Sequence, residues 1–401
     1  MTSMRTSIIF SFFMVFVALT ATAQSYYQDA YNSEMLRHAE RREPCRKEII
    51  LPQVNGYNVY KADLHTHSVF SDGSVLPKWR VEEAWQDGLD VMAVTEHIEW
   101  RPSEKTFVDH LENYRDKKYN KAINTNLVKK ASTEEGIMTD LNYGVREAQK
   151  VALKFGLVII PGSEITRDGK TIGHFNALFT TDNNLIYDPD PVQSIRNAKA
   201  QHALVMHNHP GWTRTNIDFT EAEKVAYSEG LIDGVEVMNG NEFYPGIVDR
   251  VKEYGQFIAA NSDIHRTTAN DYRLTGVDRP MTLIFAKDNS LEALKEALVE
   301  DRTLAYGYNT LCGDEQLLKD FFVAGMTVKV IRESGKKIEI ALTNMTSIPY
   351  TICQRGHNQK KLDPFRTIIM SVDKKASALE FSVLNMFCSK DGHPVVELPF
   401  K

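Results

Sequence analysis

The sequence predicts an α/β fold in which parallel strands with helical crossovers form a barrel, followed by a small domain of β-strands. Three patterns lead to this prediction. From about residue 55 to residue 286, short apolar runs alternate with amphipathic stretches, as they do in repeated strand–helix units. Several amphipathic stretches end just before a glycine, as helices do at their C-caps. From about residue 321 onward, apolar and polar residues alternate along predicted strands and no helical period is found.

The first 23 residues predict a signal peptide. Arg5 precedes the apolar run SIIFSFFMVFVALT, and ATA stands directly before Gln24. An uncleaved membrane anchor fits less well, because the run is too short to span a membrane comfortably. We therefore expect cleavage near Ala23, an exported mature chain that is periplasmic or secreted and has no membrane span, and a lead-in over residues 24–54.

Charge and cysteine spacing exclude some classes of function. The net charge of the chain is −6, which argues against a broad basic surface for duplex nucleic acid. The four cysteines have no CxxC spacing, which excludes a zinc knuckle or a thioredoxin motif. Cys353 and Cys388 share the C-terminal segment, and both a disulfide between them and free thiols are compatible with the sequence.

Eight apolar runs within residues 55–315 are predicted strands. In chain order they are YNVYKADL, LDVMAVTE, LVIIPGSE, HFNALFT, ALVMH, GVEVM, QFIAANS and MTLIFA. The stretches between them that are predicted helices are PKWRVEEAWQDG, LNYGVREAQKVALKFG, PVQSIRNAKAQ, TEAEKVAYSEG and GIVDRVKEYG. So many consecutive strand–helix units favour a closed or nearly closed barrel.

One connection is too long for an ordinary loop. Roughly forty residues separate His97 from the helix that starts near Asp140, whereas most loops in compact domains are far shorter. Residues 98–138 are therefore predicted to be an insertion with a helix of its own. The insertion follows directly after a predicted strand that ends in a histidine. The sequence leaves open whether it forms a lid over a site or only adds to the surface of the protein. Residues 316–401 are predicted to form the small all-β domain, with a glycine-containing hairpin turn.

Histidines and acids collect at the ends of the predicted strands. The residues at or just after these ends are His65, His67, Asp72, His97, Glu164, His207, His209, Asp263 and His265, and His174 begins the fourth strand. The C-terminal ends of barrel strands form the face on which barrel enzymes carry their active sites. Residues i and i+2 on a strand share a face, so His65 with His67, and Asp263 with His265, can each direct two ligands at one point.

These residue types predict a site for more than one metal ion. The set is larger than one tetrahedral ion can use, so two to three divalent ions are expected. Imidazole mixed with carboxylate suits zinc, manganese or iron and does not suit calcium or copper. Glu164 is the only glutamate in the set and is a natural bridging ligand.

The ordered segments DLHTHSVFSDGS, AVTEH, PGSEI, NHPG, NSDIH and RTLAY resemble the motifs of the PHP (polymerase and histidinol phosphatase) family. With its signal peptide and β region, the chain looks like the secreted Sb-PDE-type phosphodiesterases of that family. The resemblance covers roughly residues 57–308 and implies a distorted (β/α)7 barrel with a trinuclear metal centre. The ligand groups that it implies are His65, His67, Glu164 and Asp263; Glu164, His174 and His209; and Asp72, His97 and His265. His209 stands directly before a proline, as the histidine of the family does, although the HNH spacing lets either His207 or His209 face the site.

The predicted reaction is hydrolysis of a phosphate ester by metal-bound hydroxide, because metal ions a few ångströms apart can activate water and hold phosphoryl oxygens. Arg101, Arg214 and Arg266 each lie near a ligand-bearing strand end. They are candidates for pairing with phosphate oxygens, and the sequence leaves open that they are surface residues. His207, where it is not a ligand, is the candidate general acid for the leaving group.

A small organic phosphodiester is the predicted substrate, and the alternative is a phosphomonoester, hydrolysed by a histidinol-phosphatase-like enzyme or a nucleotidase. A monoester carries about two negative charges near neutral pH and a diester carries one, and the ligand loops offer few cationic partners. Trp100 and Trp212 could receive an organic arm or pack against the rim of the barrel. No lysine ends a ligand-bearing strand, which disfavours metallohydrolases with a carbamylated lysine. A non-catalytic metal-binding protein is disfavoured because the ligand set leaves room for water on several ions.

Overall fold

The computed structural model describes residues 26–38, 44–103, 140–354 and 357–400. The predicted signal peptide and most of the predicted insertion, from residue 104 onward, lie outside the described residues. The residues before Arg46 and those from Arg46 onward form separate compact units. In the first unit, β1 (Tyr26–Gln28) pairs antiparallel with β2 (Leu36–His38).

The second unit is built on one large curled sheet. Its strands within residues 55–315 are β3 (Asn58–Asp63), β4 (Val91–Val94), β5 (Val158–Thr166), β6 (His174–Leu178), β7 (Leu204–His207), β8 (Gly234–Asn239), β9 (Glu242–Phe243), β10 (Phe257–Asn261), β11 (Met281–Ala286), β12 (Thr303–Gly307) and β13 (Thr310–Gly313). They are ordered β10-β8-β7-β6-β5-β4-β3-β11-β12-β13, and β9 pairs with β8. The sheet curls until β10 meets β11 and β12, where the hydroxyls of Thr282 and Thr303 accept the backbone N–H groups of Ala260 and Ile258.

The sheet is mixed, whereas the sequence predicted parallel strands. Strand β6 is antiparallel to both β5 and β7, and β11 is antiparallel to β3 and β12. The physical reason is connection length: only seven residues, 167–173, join β5 to β6, which is too short for a helical crossover but suits an antiparallel pair. His174, the first residue of β6, therefore lies opposite Thr166, at the end of β5.

The five predicted helices form between the strands; they are α1 (Pro77–Gln86), α2 (Tyr143–Ala152), α3 (Pro191–Lys199), α4 (Glu221–Ser228) and α5 (Gly246–Tyr254). A further helix, α6 (Leu291–Val299), lies between β11 and β12. Local chemistry explains their ends. Thr220 and Glu223 form a reciprocal capping box at the start of α4. Gly255 ends α5 with φ +61°, a left-handed conformation that favours glycine.

The C-terminal region opens with a helix, α7 (Glu315–Ala324), that the all-β prediction for residues 316–401 did not include. Asp314 caps it by accepting from the backbone N–H of Leu317. The strands that follow are β14 (Met326–Ser334), β15 (Lys337–Asn344), β16 (Tyr350–Gln354), β17 (His357–Leu362), β18 (Thr367–Asp373), β19 (Ala378–Val383), β20 (Met386–Phe387) and β21 (Val395–Pro399). They form the sheets β14-β15-β18 and β17-β16-β19-β21, and β20 joins the large sheet beside β13.

One apolar core runs across the predicted domain boundary at residue 315. Leu283 of β11, Phe321 of α7 and Tyr350 of β16 belong to the same buried cluster. Cys388 is a buried free thiol, so the disulfide between Cys353 and Cys388 that the sequence left open is not formed. Among the described residues, no helix is both long enough and apolar enough to cross a membrane.

Candidate metal centre

The nine predicted metal ligands meet at one rim of the curled sheet. The strands place them as follows: His65, His67 and Asp72 after β3, His97 after β4, Glu164 within β5, His174 at the start of β6, His209 after β7, and Asp263 and His265 after β10. Bridges between Thr66 and Ile264, and between His97 and Glu164, hold the segments beyond the strand ends in register. Antiparallel β6 contributes through its first residue because that residue lies at this same rim.

The tightest part of the cluster is formed by His65, His67 and Asp263. The Nε2 atoms of the two histidines are 3.1 Å apart, and Asp263 Oδ1 lies 3.2 Å from His65 Nε2 and 3.1 Å from His67 Nε2. Two nitrogen ligands on a tetrahedral zinc ion lie about 3.3 Å apart, given Zn–N bonds of about 2.0–2.1 Å. The spacing of these three side chains fits a shared cation.

A second part lies around Asp72. Its Oδ1 is 3.1 Å from His265 Nε2 and 3.4 Å from His97 Nε2. The rings of His97 and His265 both stack on the ring of His67, with centroids 4.3 and 4.4 Å away from it. His67 thus stands between the two parts of the cluster and faces both.

Glu164 lies at the centre and is fully buried. Five histidines have a ring nitrogen near its carboxylate: His97 at 2.5 Å, His174 at 3.1 Å, His65 at 3.4 Å, His67 at 3.5 Å and His209 at 3.8 Å. Its two oxygens face different histidines, with Oε1 near His65, His174 and His209 and Oε2 near His67 and His97. This is the arrangement expected of a carboxylate that bridges ions.

Three sets of residues have ligand atoms that all lie within 4.8 Å of one another. They are His67, Asp72, His97 and His265; His65, Glu164 and His209; and His65, His67 and Asp263. They differ from the predicted groups because His67 joins the Asp72 set and His65 takes the place of His174 beside Glu164. His174 remains in contact with the cluster through Glu164.

The electrostatics of the cluster fit divalent cations. Burial would raise the pKa of Asp72, but His97 and His265 hold that pKa far below its usual range. Burial would lower the pKa of His97, but Glu164 and Asp72 raise it to about 10. Asp72 Oδ1 and Glu164 Oε2 are buried, and each faces a histidine nitrogen, that of His265 at 3.1 Å and that of His97 at 2.5 Å. Metal ions would satisfy these oxygens and replace the protons that the histidines otherwise hold.

Two ligand-bearing residues have a strained backbone. Asp263 has φ +51° and His209 has φ +24°, in a region that residues with a side chain rarely adopt. The backbone N–H of Asp263 donates to the His65 carbonyl at 3.0 Å, and that of His209 donates to Glu236 Oε2 at 2.8 Å. Such conformations persist where neighbouring contacts hold them, and they cluster at functional sites.

Glu236 is a buried residue of the centre that the sequence reading missed. Its Oε1 lies 2.9 Å from His65 Nδ1 and accepts from the Asn261 amide, while Oε2 accepts from the backbone of His209 and from the Asn239 amide. It orients one histidine by its ring and another by its backbone. The available signal was a carboxylate in the middle of GVEVM, an otherwise apolar run.

His67 is held through a serine. Its Nδ1 lies 3.3 Å from Ser71 Oγ, which donates to Glu96 Oε2 at 2.5 Å. Glu96 also accepts from the backbone N–H of Ser68 at 3.0 Å. Both histidines of the HTH segment therefore keep Nε2 facing the cluster while the other ring nitrogen is held from behind.

His207 lies outside the cluster. Its ring stacks on Phe175 at 4.7 Å, its Nδ1 is 3.0 Å from the Tyr227 hydroxyl of α4, and its Nε2 is 3.3 Å from Glu223 Oε1. It is thus packed between the sheet and α4, with its ring nitrogens facing Tyr227 and Glu223, whereas the predicted role as general acid would require it to face the cluster. Between the two histidines of HNH, the geometry favours His209 as the ligand.

The predicted phosphate-binding arginines are also placed differently from the expectation. Arg214 forms two hydrogen bonds with the Glu223 carboxylate and donates from Nε to the Gly169 carbonyl. Arg101 is buried and donates to the His97 carbonyl at 3.0 Å. Arg266 is exposed and is not among the residues that line the cleft beside the cluster.

That cleft has a volume of about 660 Å³. Asp72, His97, His174, His209, Asp263 and His265 line it, together with Trp100 and Trp212. Two cationic side chains, Arg167 and Lys170, occur among the described residues that line it. Arg167 is paired with Glu99, whereas Lys170 is exposed.

The chain matches the model of the PHP domain over residues 63–269. A solved protein from Bacteroides vulgatus, described as a two-domain protein containing a predicted PHP-like metal-dependent phosphoesterase, is 30% identical, with a TM-score of 0.77. That similarity covers 90% of this chain and 100% of the other. No curated protein matches the chain.

Two further solved structures are more distant. One is a putative metal-dependent phosphoesterase from Bifidobacterium adolescentis, 17% identical over 51% of this chain and 88% of its own, with a TM-score of 0.35. The other is an amidohydrolase from Chromobacterium violaceum, 13% identical over 51% of this chain and 87% of its own, with a TM-score of 0.32. At TM-scores this low, nothing about this protein follows from either of them.

Proposed function

The chain belongs to the PHP domain family, and from that premise we propose that it is a metal-dependent phosphoesterase that prefers phosphodiesters. The observation that carries the proposal is that six histidines and three carboxylates, Asp72, Glu164 and Asp263, come together at one rim of the sheet, beside an open cleft. The Bacteroides protein that shares this architecture along its full length is described as containing a PHP-like metal-dependent phosphoesterase.

We propose the nine clustered residues as ligands for two to three ions of zinc, manganese or iron. Imidazole and carboxylate donors suit these metals. When bound, the ions would activate water near neutral pH and neutralise phosphoryl oxygens. Glu164 would hold neighbouring ions together through its two oxygens, and Asp263 would join the HTH histidines. The chain's own contribution is to fix these donors at a cleft wide enough for an organic ester.

The preference for diesters rests on charge. A monoester brings about two negative charges near neutral pH and a diester brings one. Glu223 already pairs with Arg214, and Glu99 already pairs with Arg167. Among the described residues that line the cleft, Lys170 is the one permanent cation without a carboxylate partner. A cleft with so little fixed positive charge beyond its ions suits the monoanionic ester.

The test compares bis(p-nitrophenyl) phosphate with p-nitrophenyl phosphate on protein of measured metal content. We expect the higher kcat/KM for the diester, with the same metal in both assays. A monoester preference of about tenfold or more, equivalent to about 1.4 kcal/mol, would reassign the protein as a phosphatase. Failure to hydrolyse either ester with two or more ions bound would refute the phosphoesterase proposal itself.

We also propose that the protein is exported after cleavage near Ala23. The support is the sequence pattern of Arg5, the apolar run and ATA. N-terminal sequencing of the protein from its native host is expected to begin at or near Gln24. Finding residues 1–23 on most of the molecules would refute export by this route.

A further inference from the structure

Trp212 is an exposed aromatic ring at the edge of the metal centre. Its ring centroid is 5.1 Å from that of His174 and 5.3 Å from that of His209, and 44% of the residue remains exposed. The side chain lines the same cleft as Asp263 and His265. A large apolar surface is therefore left open to solvent within reach of the ions that the cluster would hold.

The loop that carries Trp212, residues 208–214, has a strained backbone and packs against Gly169. Thr213 has φ +60° and His209 has φ +24°. Trp212 donates its backbone N–H to the His209 carbonyl at 2.9 Å. The loop packs tightly on Gly169: a Cβ there would lie 2.6 Å from Thr213 Oγ1 and 3.4 Å from Trp212 Cε3. A side chain at residue 169 would therefore require the Thr213 side chain to move.

Arg214 connects the loop that carries Trp212 to the loop between β5 and β6, which contains Gly169. It donates from Nε to the Gly169 carbonyl, and its Nη1 lies 2.9 Å from Glu223 Oε2 on α4. Glu223 is fully buried and is also 3.3 Å from His207 Nε2. A buried ion pair of this kind is a costly way to stabilise a fold, and its well-supported use is to impose one specific arrangement. Here the pair fixes Arg214, two residues beyond Trp212, to α4 and to the Gly169 carbonyl.

We propose that Trp212 is an arm-binding subsite, in which the indole ring stacks on a planar aromatic or heteroaromatic arm of the phosphoester, and that Arg214, Glu223 and His207 are positioning residues for it. The proposal rests on the proposed function in that the cluster would hold the phosphoryl group. Stacking fits the observations because the ring is fixed in place, half-exposed and adjacent to the histidines of the centre. A fixed ring loses little conformational entropy when an arm stacks on it.

The test uses two inhibitors that share a phosphonate head and cannot be hydrolysed, phenylphosphonate and methylphosphonate. Isothermal titration on metal-loaded protein, at a pH where both are dianions, gives the ratio of their Kd values. We expect the phenyl compound to bind about tenfold more tightly, within the range for stacking on an aromatic side chain. Trp212→Ala should reduce that ratio to about twofold or less and leave the methylphosphonate Kd unchanged, whereas Trp212→Phe should keep part of the ratio.

The controls separate stacking from structural damage. Trp79→Ala removes a ring that is 50% exposed on α1 and does not line the cleft, so the ratio should not change. Arg214→Lys should lower the ratio with metal content unchanged, because lysine cannot reproduce the fork between Glu223 and Gly169. A wild-type ratio near one, an unchanged ratio in Trp212→Ala, or an equal loss for both phosphonates would overturn the subsite. Protein that hydrolyses no phosphoester but keeps a Trp212-dependent ratio would refute the proposed function and leave the subsite standing.

Discussion

Replacement of Glu236 by glutamine is expected to weaken metal binding without removing any proposed ligand. The Glu236 carboxylate contacts four donors with its two oxygens: His65 Nδ1 and the Asn261 amide on Oε1, and the His209 backbone and the Asn239 amide on Oε2. Glutamine keeps one oxygen and introduces an NH₂ group, which cannot accept. Whichever way the amide faces, one pair of donors loses its acceptor.

The size of the effect follows from which pair is lost. If the NH₂ faces His65, the histidine must carry its proton on Nε2, the atom that faces Asp263 at 3.2 Å, and cannot bind a metal until it changes tautomer. If it faces His209, the backbone at φ +24° loses its anchor. Mutation of such outer carboxylates typically reduces metal affinity about 10- to 100-fold, or about 1.4–2.7 kcal/mol. The unpaired buried donors should also lower the free energy of unfolding by about 1–3 kcal/mol.

The assay is competition for zinc or manganese with a chromogenic chelator, together with elemental analysis and a thermal melt of the metal-free protein. Glu253→Gln is the matched control, since it makes the same change on an exposed position of α5. The control should bind metal as the wild type does. A folded Glu236→Gln protein with wild-type metal affinity would refute the reasoning that Glu236 orients His65 and His209.

Three further outcomes are expected. Asp263→Ala should lose at least one ion and nearly all activity, because Asp263 Oδ1 approaches the nitrogens of both HTH histidines. Elemental analysis and an activity assay of the variant test these two losses, and full activity of chelator-treated, metal-free wild type would contradict the metal dependence on which they rest. Ser71→Ala should lower metal affinity by less than about tenfold, the lower end for an outer-shell change, because the hydroxyl contacts only one ligand, His67, and does so at 3.3 Å. Burial would raise the pKa of Glu223, but His207 and Arg214 lower it from 4.5 to about 2, so its stabilisation is present above pH 4.5 and is lost as the pH falls towards 2. Glu223→Gln should therefore reduce the free energy of unfolding by about 3 kcal/mol at neutral pH, and a difference from wild type that stays constant between pH 7 and pH 3 in denaturant titrations would contradict this.

The strands and the clustered residues at their ends were predictable because each is recognised from a short stretch of sequence. The apolar run MTLIFA has the length and residue types of a buried strand and forms β11, and HTH at the end of a strand places two ring nitrogens on one side. Helix α7 was missed because DEQLLKDFF follows a strand and precedes others, and the reading extended the β pattern across it. Its signals were present, with Asp314 as N-cap and leucine and phenylalanine at helical spacing.

The roles of His207 and Arg214 could not be assigned from sequence. HNHP carries two histidines two residues apart, and only the packing of β7 against β6 and α4 decides that His207 contacts Phe175 and Tyr227. Arg214 lies five residues beyond His209, yet its guanidinium meets Glu223, a residue of the next helix. Their positions in the sequence place His207 and Arg214 close to the clustered residues along the chain, but do not determine the direction in which either side chain points.

By itself, the sequence predicted which histidines and carboxylates come together in the candidate metal centre, because the C-terminal ends of parallel strands with helical crossovers share one rim of the sheet. Only the tertiary structure decided how those residues are supported. Glu236 and Glu96 act across strand and loop boundaries through hydrogen bonds of specific direction, and Arg214 acts through an ion pair with Glu223 on a helix. Contacts of this kind depend on which faces of distant elements meet, and that is a property of the packed chain that no local pattern of residues encodes.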